Sequence, residues 1–429
     1  MASRRDQDLL TQVSAGTPMG DFMRQYWLPA AASTELKADG EPMRLMLLGE
    51  QLIAFRDSNG KVGVMDHRCP HRCASLFFGR NEEGGIRCVY HGWKFDADGN
   101  CLDMANVPPH QDFKHKVHAK AYRTRERAGV VWVYMGDQKE NDVPDLPQIE
   151  ATMGTEDDTI VMFIQRECSF LPSLEGSIDT SHAGILHGPA HRPKTRDTDI
   201  EGIIIANPHP EYKLTETPYG TSYGAYRPAE AGKLNWRVAH FLFPFWTLAP
   251  TGPIEGHVTA RAWVPMDDTH NMSVYFARRS TLHVSKLATL TGGVADFNDF
   301  LPNTTDWYGR WRPRARREND YLIDRERQRT ETFTGIDGVL LQDQMITEAM
   351  QGGVSEFEWE HLAPSDHMIT LTRRRIIQAV NAFKTGGIRP PAADTPQDYL
   401  LARAGFFEAA ETRDWLEAYR ERLAAARAA

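Results

Sequence analysis

The sequence contains little cysteine, and its cysteines are not arranged as a disulfide scaffold. There are five in 429 residues, an odd number, and three of them fall within residues 69–91. Thiols grouped in this way, in a chain with so few of them, are typical of metal binding in a reducing compartment. We therefore expect a cytoplasmic protein whose thiolates serve as metal ligands.

The sequence also lacks long apolar runs and an export signal. No run approaches the roughly eighteen apolar residues that span a bilayer, and no apolar segment follows the Arg pair in the N-terminal MASRRDQDLL. The formal net charge of -9 argues against a general nucleic-acid-binding surface. These absences leave a globular chain of two or three domains, with neither a membrane nor a nucleic acid as its partner.

Two regions of β-type sequence are followed by a helical one. Short runs such as GVVWVYMG, rich in β-branched and aromatic residues, predict strands from about residue 43 to 136. A second set of strands, which includes EGIIIAN, is predicted between residues 159 and 280. Helical periodicity is expected at 400–423, and the charge run at 310–329 predicts a solvated helix with ion pairs. Strands followed by helices indicate an α+β fold.

The densest motif combines two cysteines with two histidines in two short loops. Cys69-x-His71 is followed by Cys88-x2-His91, so that each loop offers one thiolate and one imidazole. Zinc fingers pair like with like, whereas a cluster of two unlike irons takes both thiolates on one iron and both imidazoles on the other. The spacing, with HGWKFDADG after it, resembles the Rieske [2Fe–2S] motif, and structural zinc is the alternative. Cys73 and His67 do not fit the pattern, and they are expected either to contact the ligands or to be merely packed. Cys101 and Cys168 are expected to be small core residues.

A second metal site is predicted in the segment EGSIDTSHAGILH. His182 and His187 with one distant carboxylate would form the facial triad of non-haem Fe(II) oxygenases, which leaves coordination positions open. Asp179 lies three residues before His182 and would face the same side on a helix. His191 is a competing imidazole. The carboxylate must come from downstream, where Asp337, Asp343 and Glu348 lie in or before LLQDQMITEAM, and periodicity does not choose among them.

Together these motifs resemble the oxygenase (alpha) component of Rieske non-haem iron aromatic-ring oxygenases of the phthalate dioxygenase type. The resemblance runs from GTPMGDFMRQYW to the C-terminal helices and includes DYLIDRERQRTETFTGIDGVLLQDQMITEA. It implies that Asp343 is the third iron ligand. It also implies a small antiparallel β Rieske domain beside a helix-grip (START-like) catalytic domain, which has an antiparallel sheet and C-terminal helices. The predicted units are an N-terminal helical segment packing on the catalytic domain (1–42), the Rieske domain (43–145) and the catalytic mononuclear iron domain (146–429).

The resemblance implies partners as well. Electrons would come from a separate NAD(P)H-dependent reductase that carries FMN and a plant-type [2Fe–2S] cluster, and this chain shows no nucleotide-binding fingerprint of its own. Subunits of the family form head-to-tail rings, as homotrimers or stacked trimers, in which one subunit's cluster faces the neighbour's iron. Asp179 matches the acidic residue that bridges the two centres, which implies a catalytic role for it.

The implied substrate is an aromatic carboxylate, with phthalate-like ring dihydroxylation as the first hypothesis. A carboxylate calls for a guanidinium clamp, and Arg237 and Arg227 lie on predicted cavity strands. Asn207 and the apolar run at 241–246 are less basic than a site for both carboxylates of ortho-phthalate should be, which leaves room for a larger or methoxylated acid. One alternative is a Rieske O-demethylase or monooxygenase of a methoxylated or biaryl acid. The other is a Rieske electron-transfer protein without oxygenase activity.

Overall fold

The computed structural model describes residues 4–139, 142–191, 200–230, 232–281, 299–350 and 357–428. Three antiparallel sheets and a set of helices make up these residues. In the described part of the chain, no helix is both long and apolar enough to cross a membrane. The helices are α1 (Arg4–Thr11), α2 (Pro18–Met23), α3 (Phe170–Ile178), α4 (Ala183–Leu186), α5 (Ile200–Ala206), α6 (Arg325–Thr330), α7 (Val339–Ala349), α8 (His367–Gly386) and α9 (Trp415–Ala428).

Two of the sheets form the first half of the chain. One has six strands in the order β1-β10-β9-β4-β3-β2, and the other has four in the order β5-β6-β7-β8. A turn at residues 57–60 joins β3 to β4, and Gly60 has a φ of +84° that suits glycine. The strands are β1 (Trp27–Ala32), β2 (Met43–Leu47), β3 (Glu50–Arg56), β4 (Val62–Asp66), β5 (Arg80–Glu82), β6 (Gly85–Arg87), β7 (Trp93–Phe95), β8 (Cys101–Met104), β9 (Ala121–Arg127) and β10 (Val130–Tyr134).

The third sheet has eight strands, and helices α3 and α8 lie on one of its faces. It follows the order β11-β17-β16-β15-β14-β13-β12, and β18 pairs with β14. Hydrogen bonds from Thr221 to Thr372 in α8, and from Thr247 to Ser177 in α3, join one face of the sheet to these helices. We call this the inner face. The strands are β11 (Thr159–Arg166), β12 (Glu211–Thr217), β13 (Gly220–Pro228), β14 (Lys233–Leu242), β15 (Trp246–Leu248), β16 (Thr259–Pro265), β17 (Asn271–Arg278) and β18 (Gly405–Ala410).

The outer face of the eight-stranded sheet packs against the six-stranded sheet. Trp132 of β10 stacks on Trp246 of β15 with ring centroids 5.9 Å apart, and on Phe276 of β17 at the same distance. All three side chains are buried in one hydrophobic core that is continuous between the two halves of the chain. The six-stranded and eight-stranded sheets therefore share one apolar core.

The two faces of the six-stranded sheet pack in different directions, because side chains alternate along a strand. On β3, Leu52 and Ala54 belong to the core shared with the eight-stranded sheet. Ile53 and Phe55 point the other way, into a second core that contains Cys69 and Cys88. The chain is thus layered, with the six-stranded and eight-stranded sheets between the cysteine loops and the helices of the inner face.

Three predicted elements differ from the structure. The run EGIIIAN is helix α5 and not a strand, because a short apolar run fits a buried helix as well as a strand. The segment 1–42 is helical only in its first part, since β1 joins the six-stranded sheet at its edge, where Pro29 costs no interior hydrogen bond. The region 400–423 begins with β18 before the helix, and β18 pairs with β14.

The arginine-rich run at 310–329 is not one solvated helix. It contains a 3-10 segment at Arg317–Leu322 and the short helix α6. Arg310 is buried, and its Nη2 lies 2.5 Å from a carboxylate oxygen of Glu35. The prediction was wrong because a high density of charged residues does not show which of their side chains are buried against another segment of the chain.

Candidate metal centres

The first candidate centre lies on two tight loops. Cys69 and His71 follow β4, and Cys88 and His91 lie between β6 and β7. In the second loop the amide of Gly92 donates to the carbonyl of Cys88 over 2.9 Å, with a φ of +75° at Gly92. A Cβ at this glycine would lie 2.7 Å from the Cβ of Ala105, so glycine is required both for the turn and for the close approach.

These loops bring like ligands together. The two thiols are buried and interact with each other, and burial together with Cys88 raises the pKa of the Cys69 thiol to about 12. The rings of His71 and His91 are 4.5 Å apart and half-exposed, and His71 stacks on Trp93 at 4.4 Å. A thiolate pair inside and an imidazole pair near the surface fit a cluster with one iron bound by each pair.

The other cysteines and His67 take no part in this arrangement. Cys101 and Cys168 are buried, as predicted. Cys73 is exposed, at a φ of +60° in the tight turn after Cys69, so the expectation that its side chain is packed was wrong. The ring of His67 packs against Trp307 at 5.3 Å, away from the imidazole pair.

The second candidate centre joins a helix–loop–helix segment to α7. Helix α3 ends at Ile178, and Asp179 follows in an extended conformation. His182 and His187 flank the short helix α4 at its two ends. Asp179 and His182 therefore meet across a turn and not, as the spacing suggested, on one helix.

The two imidazoles and Asp343 converge on one point. The Nε2 atoms of His182 and His187 lie 3.5 and 3.1 Å from Oδ1 of Asp343. One ligand atom from each residue falls within 4.8 Å of the others, which makes this group a possible holder of a metal ion. Two imidazoles and one carboxylate match the donor set of non-haem Fe(II), and this donor set leaves other coordination positions free.

The outer nitrogens of both imidazoles are also bound. Nδ1 of His182 lies 3.2 Å from Oδ2 of Asp179, and Nδ1 of His187 lies 2.7 Å from Oε1 of Gln342. Acceptors at Nδ1 hold the proton there, and this leaves each Nε2 free to bind a metal. The role of Gln342 was not predicted, although its place next to Asp343 in LLQDQ was the available signal.

The competing ligands lie elsewhere. His191 is exposed and outside the group. Glu348 is buried and accepts hydrogen bonds from the backbone of Glu167 and from Gln344. Asp337 pairs with Arg327. Of the three acids that the sequence left open, only Asp343 contacts the imidazoles.

Without metal, this group holds an extra proton. Burial disfavours the imidazolium form of His182, but the hydrogen bonds to Asp179 and Asp343 outweigh it and raise the pKa of His182 to about 10. Burial opposes ionisation of Asp343 as well, yet the two imidazoles hold the pKa of its carboxyl far below the usual range. The metal-free site is therefore an imidazolium–carboxylate pair at neutral pH.

This protonation predicts how Fe(II) affinity depends on pH. Metal binding must expel the His182 proton, so the apparent affinity should rise about tenfold per pH unit between about pH 6.5 and 8.5. A competition titration with a chelator, on protein that keeps its cluster but lacks mononuclear iron, measures the slope. Asp179→Asn should flatten it, because the imidazolium loses one acceptor. A wild-type affinity that does not change with pH would contradict the assignment of this proton.

Four arginines lie on strands of the inner face near this site. Arg227 and Arg237, predicted from the sequence, are buried on β13 and β14. Nε of Arg237 lies 3.1 Å from the hydroxyl of Thr180, next to Asp179, and Nε of Arg227 donates to the carbonyl of Asn207 over 2.7 Å. Sequence reasoning missed the other two, which lie on β11 and β16: Arg166 and Arg261.

A cavity of about 270 Å³ lies between β11 and the start of α7. Its lining is mainly apolar and includes Ile164, Leu340 and Leu341. None of the three converging side chains lines it. It is therefore close to the candidate iron site but is not the space directly in front of it.

Two family models match the chain. Residues 26–121 match the family described as Rieske [2Fe-2S] domain, and residues 133–421 match the family described as LigXa C-terminal domain like. The chain is similar to the 3-chlorobenzoate-3,4-dioxygenase oxygenase subunit of Comamonas testosteroni, with 46% identity over 99% of each chain. It is 32% identical to the phthalate 4,5-dioxygenase oxygenase subunit of Pseudomonas putida, over 96% of this chain and 93% of the other.

A solved structure shares the fold. The crystal structure of dicamba monooxygenase bound to 3,6-dichlorosalicylic acid superimposes with a TM-score of 0.56 at 16% identity, over 85% of this chain and 99% of the other. At that identity the similarity concerns the fold alone. It agrees with the prediction of a β-rich domain beside an antiparallel sheet covered by helices.

Proposed function

This chain belongs to the Rieske non-haem iron oxygenases, and from that premise we propose that it is the terminal oxygenase of a multicomponent system that dihydroxylates an aromatic carboxylate. As a member of the family it carries a Rieske [2Fe–2S] cluster and a mononuclear non-haem iron. The observation that carries the proposal is the convergence of His182, His187 and Asp343 beside arginine-bearing strands. An electron carrier needs no such open donor set.

We assign the metal ligands accordingly. Cys69, His71, Cys88 and His91 would hold the cluster, and His182, His187 and Asp343 would hold the iron. When bound, the cluster supplies electrons one at a time and the iron supplies O2 activation beside the substrate.

The residues around the iron ligands keep them oriented. The Asp179 carboxylate and the Gln342 amide oxygen hold the Nδ1 protons of His182 and His187, so that both Nε2 lone pairs face Asp343. Asp179 is fixed in turn, because its Oδ1 accepts hydrogen bonds of 2.7 Å from both the amide and the hydroxyl of Ser181. A carboxylate held this firmly keeps the imidazole in one tautomer.

The layering of the chain supports a ring of subunits. Stacked sheets lie about 10 Å apart, and two sheets separate the cysteine loops from the helices of the inner face. Within one chain the two centres would thus be on the order of 20 Å apart or more. We propose a homotrimer, or stacked trimers, in which the cluster of one subunit faces the iron of the next across Asp179. A separate NAD(P)H-dependent reductase with FMN and a plant-type [2Fe–2S] cluster would supply the electrons.

The proposed substrate is an aromatic acid, as the names of the chlorobenzoate and phthalate dioxygenase relatives suggest. Guanidinium groups on the inner face suit a carboxylate. Nη1 and Nη2 of Arg227 are buried without a hydrogen-bond partner among the described residues. Contact of Arg227 and Arg237 with the substrate stays a prediction.

A substrate panel tests this function. The protein, purified anaerobically and supplied with Fe(II), a ferredoxin-type reductase and NADH, is offered chlorobenzoates, phthalates, methoxybenzoates and biaryl acids. We expect O2 uptake that matches formation of a cis-diol, without formaldehyde. Formaldehyde in step with O2 uptake would identify an O-demethylase instead. An intact Rieske spectrum with no uptake for any acid would overturn the proposal and favour the electron-transfer alternative.

A further inference from the structure

We propose that Arg166 and Arg261 form the anchor for the substrate's carboxylate, at the end of the site beyond Asp343. This inference rests on the proposed function and specifies which residues of the inner face select an aromatic acid. It assigns the anchor to a different pair of arginines from the one that the sequence suggested.

Both side chains point to the inner face. Arg261 lies opposite Thr247 in the register of β15 and β16, and Thr247 hydrogen-bonds to Ser177 of α3. Nη1 of Arg166 lies 3.0 Å from the hydroxyl of Thr347 in α7, the helix that carries Asp343. The two strands thus direct two cations towards the helices of the iron site.

One aromatic ring holds both cations in place. The guanidinium carbon of Arg166 lies 4.7 Å from the ring centroid of Trp263, and that of Arg261 lies 5.3 Å from it. Arg261 also lies 5.1 Å from the ring of Tyr275. The indole is itself fixed, because its Nε1 donates to Thr247 over 2.9 Å. A planar guanidinium stacked on an aromatic ring still presents its edge for bidentate binding of a carboxylate.

Neither cation is neutralised by a carboxylate within hydrogen-bonding reach among the described residues. The Nε atoms of Arg166 and of Arg261 are both buried without a hydrogen-bond partner in the part of the chain that the structure describes. Two other buried arginines do bind a carboxylate, since Arg373 binds Glu175 and Arg310 binds Glu35. Arg227 resembles the proposed pair in this respect, because its Nη1 and Nη2 are buried without a partner among the described residues. Arg166 is buried and Arg261 is partly exposed with its Nε buried. Two adjacent cations that bind no carboxylate directly are costly in such a place, and an anionic ligand would offset that cost.

The charge on this pair persists under working conditions. Burial and the neighbouring Arg166 lower the pKa of Arg261 to about 10, which leaves it protonated at neutral pH. Asp343 acts electrostatically on both cations, and Glu348 acts on Arg166. In the holoenzyme Asp343 would bind the metal, and Glu348 already accepts hydrogen bonds from the Glu167 amide and from Gln344. The pair then offers net positive charge to the substrate.

The position of the pair also suggests which ring carbons react. Thr347 lies four residues after Asp343 on α7, which is about 6 Å along the helix axis. A carboxylate held by Arg166 and Arg261 therefore lies about one helical turn from the metal ligand. A ring carbon other than the one that carries the carboxylate would then face the iron.

The test measures binding of 3-chlorobenzoate to the full-length protein with both metal sites loaded, by calorimetry without O2. Arg261→Met should raise the Kd for 3-chlorobenzoate at least tenfold, and Arg261→Lys should raise it less, since it keeps the charge but not the fork. Binding of the neutral 3-chlorobenzamide should be no weaker in Arg261→Met than in the wild type. Mononuclear iron content and the Rieske spectrum should stay unchanged.

Two further variants complete the design. Arg278→Met removes a cation from the next strand, where Arg278 lies near Glu150 and Asp158, and should leave the Kd for 3-chlorobenzoate unchanged. Arg227→Met tests whether the alternative pair, Arg227 and Arg237, binds the carboxylate of 3-chlorobenzoate. A larger loss of binding in Arg227→Met than in Arg261→Met would overturn the anchor.

The outcomes separate the two proposals. Wild-type protein that oxygenates aromatic acids, with an unchanged Kd in Arg261→Met, contradicts the anchor alone. Wild-type protein that binds and oxygenates no aromatic acid contradicts the proposed function, and the anchor with it. If Arg261→Met loses its metals, Arg261→Lys and Arg166→Met, each with full metal content, replace it in the test. The anchor is refuted if both variants bind 3-chlorobenzoate with the Kd of the wild type.

Discussion

Asp343→Ala should remove mononuclear iron and oxygenase activity while leaving the Rieske spectrum intact. Asp343 brings the only carboxylate into the group with His182 and His187, and its Oδ1 lies 3.1 Å from Nε2 of His187. Loss of a residue that only supports a ligand costs about 10–100-fold in affinity or activity, so loss of a ligand should exceed 100-fold. Iron analysis, the Rieske absorbance and product formation are measured on the same preparation.

The matched control for this variant is Asp337→Ala. Asp337 precedes the same helix and pairs with Arg327, away from the imidazoles. It should keep its iron and its activity. An Asp343→Ala protein that retains stoichiometric mononuclear iron would remove Asp343 from the ligand set.

Asp179→Asn should retain both metals and lose roughly 100-fold in coupled turnover. The amide keeps the shape of the side chain but not the charge that holds Nδ1–H of His182 over 3.2 Å. In the proposed ring the same carboxylate also meets a cluster histidine of the neighbouring subunit. The reduced cluster should therefore be reoxidised much more slowly when substrate and O2 are added in a single turnover.

Ser181→Ala provides the comparison for this effect. It removes one hydrogen bond to Oδ1 of Asp179 but leaves the carboxylate and its contact with His182. We expect a much smaller loss in this variant. Normal product formation by Asp179→Asn, with both metals bound, would exclude Asp179 from the electron path.

Local spacing made most of the candidate metal ligands predictable. The cysteine and histidine pairs lie on single loops, so the positions of Cys69 and Cys88 relative to His71 and His91 could be seen in the sequence. The carboxylate could not be chosen in this way, since Asp337, Asp343 and Glu348 share one helical region. The family resemblance pointed to Asp343, and the packing of α7 against the α3–α4 segment brings this carboxylate to the imidazoles.

The inner-face arginines show what a sequence pattern leaves open. Alternation along β16 groups Arg261 with Trp263, but it does not say which set of residues faces the helices. That depends on the pairing of β15 with β16 and on the helix that lies over β15. The same limit explains why the run EGIIIAN, with its adjacent isoleucines, was predicted as a strand and is helix α5.

Strand β16 serves two purposes on alternate residues. Arg261 and Trp263 face the iron side, whereas Ala262 and Val264 are buried in the core shared with the six-stranded sheet. For protein engineering, the two sets are therefore not equivalent. A library that varies Arg261 and Trp263 can explore new substrates. Changes at Ala262 and Val264 would instead weaken the packing of the eight-stranded sheet against the six-stranded sheet. For the same reason, replacing the Rieske domain by that of a relative would require the residues around Trp246, against which it packs, to be replaced as well.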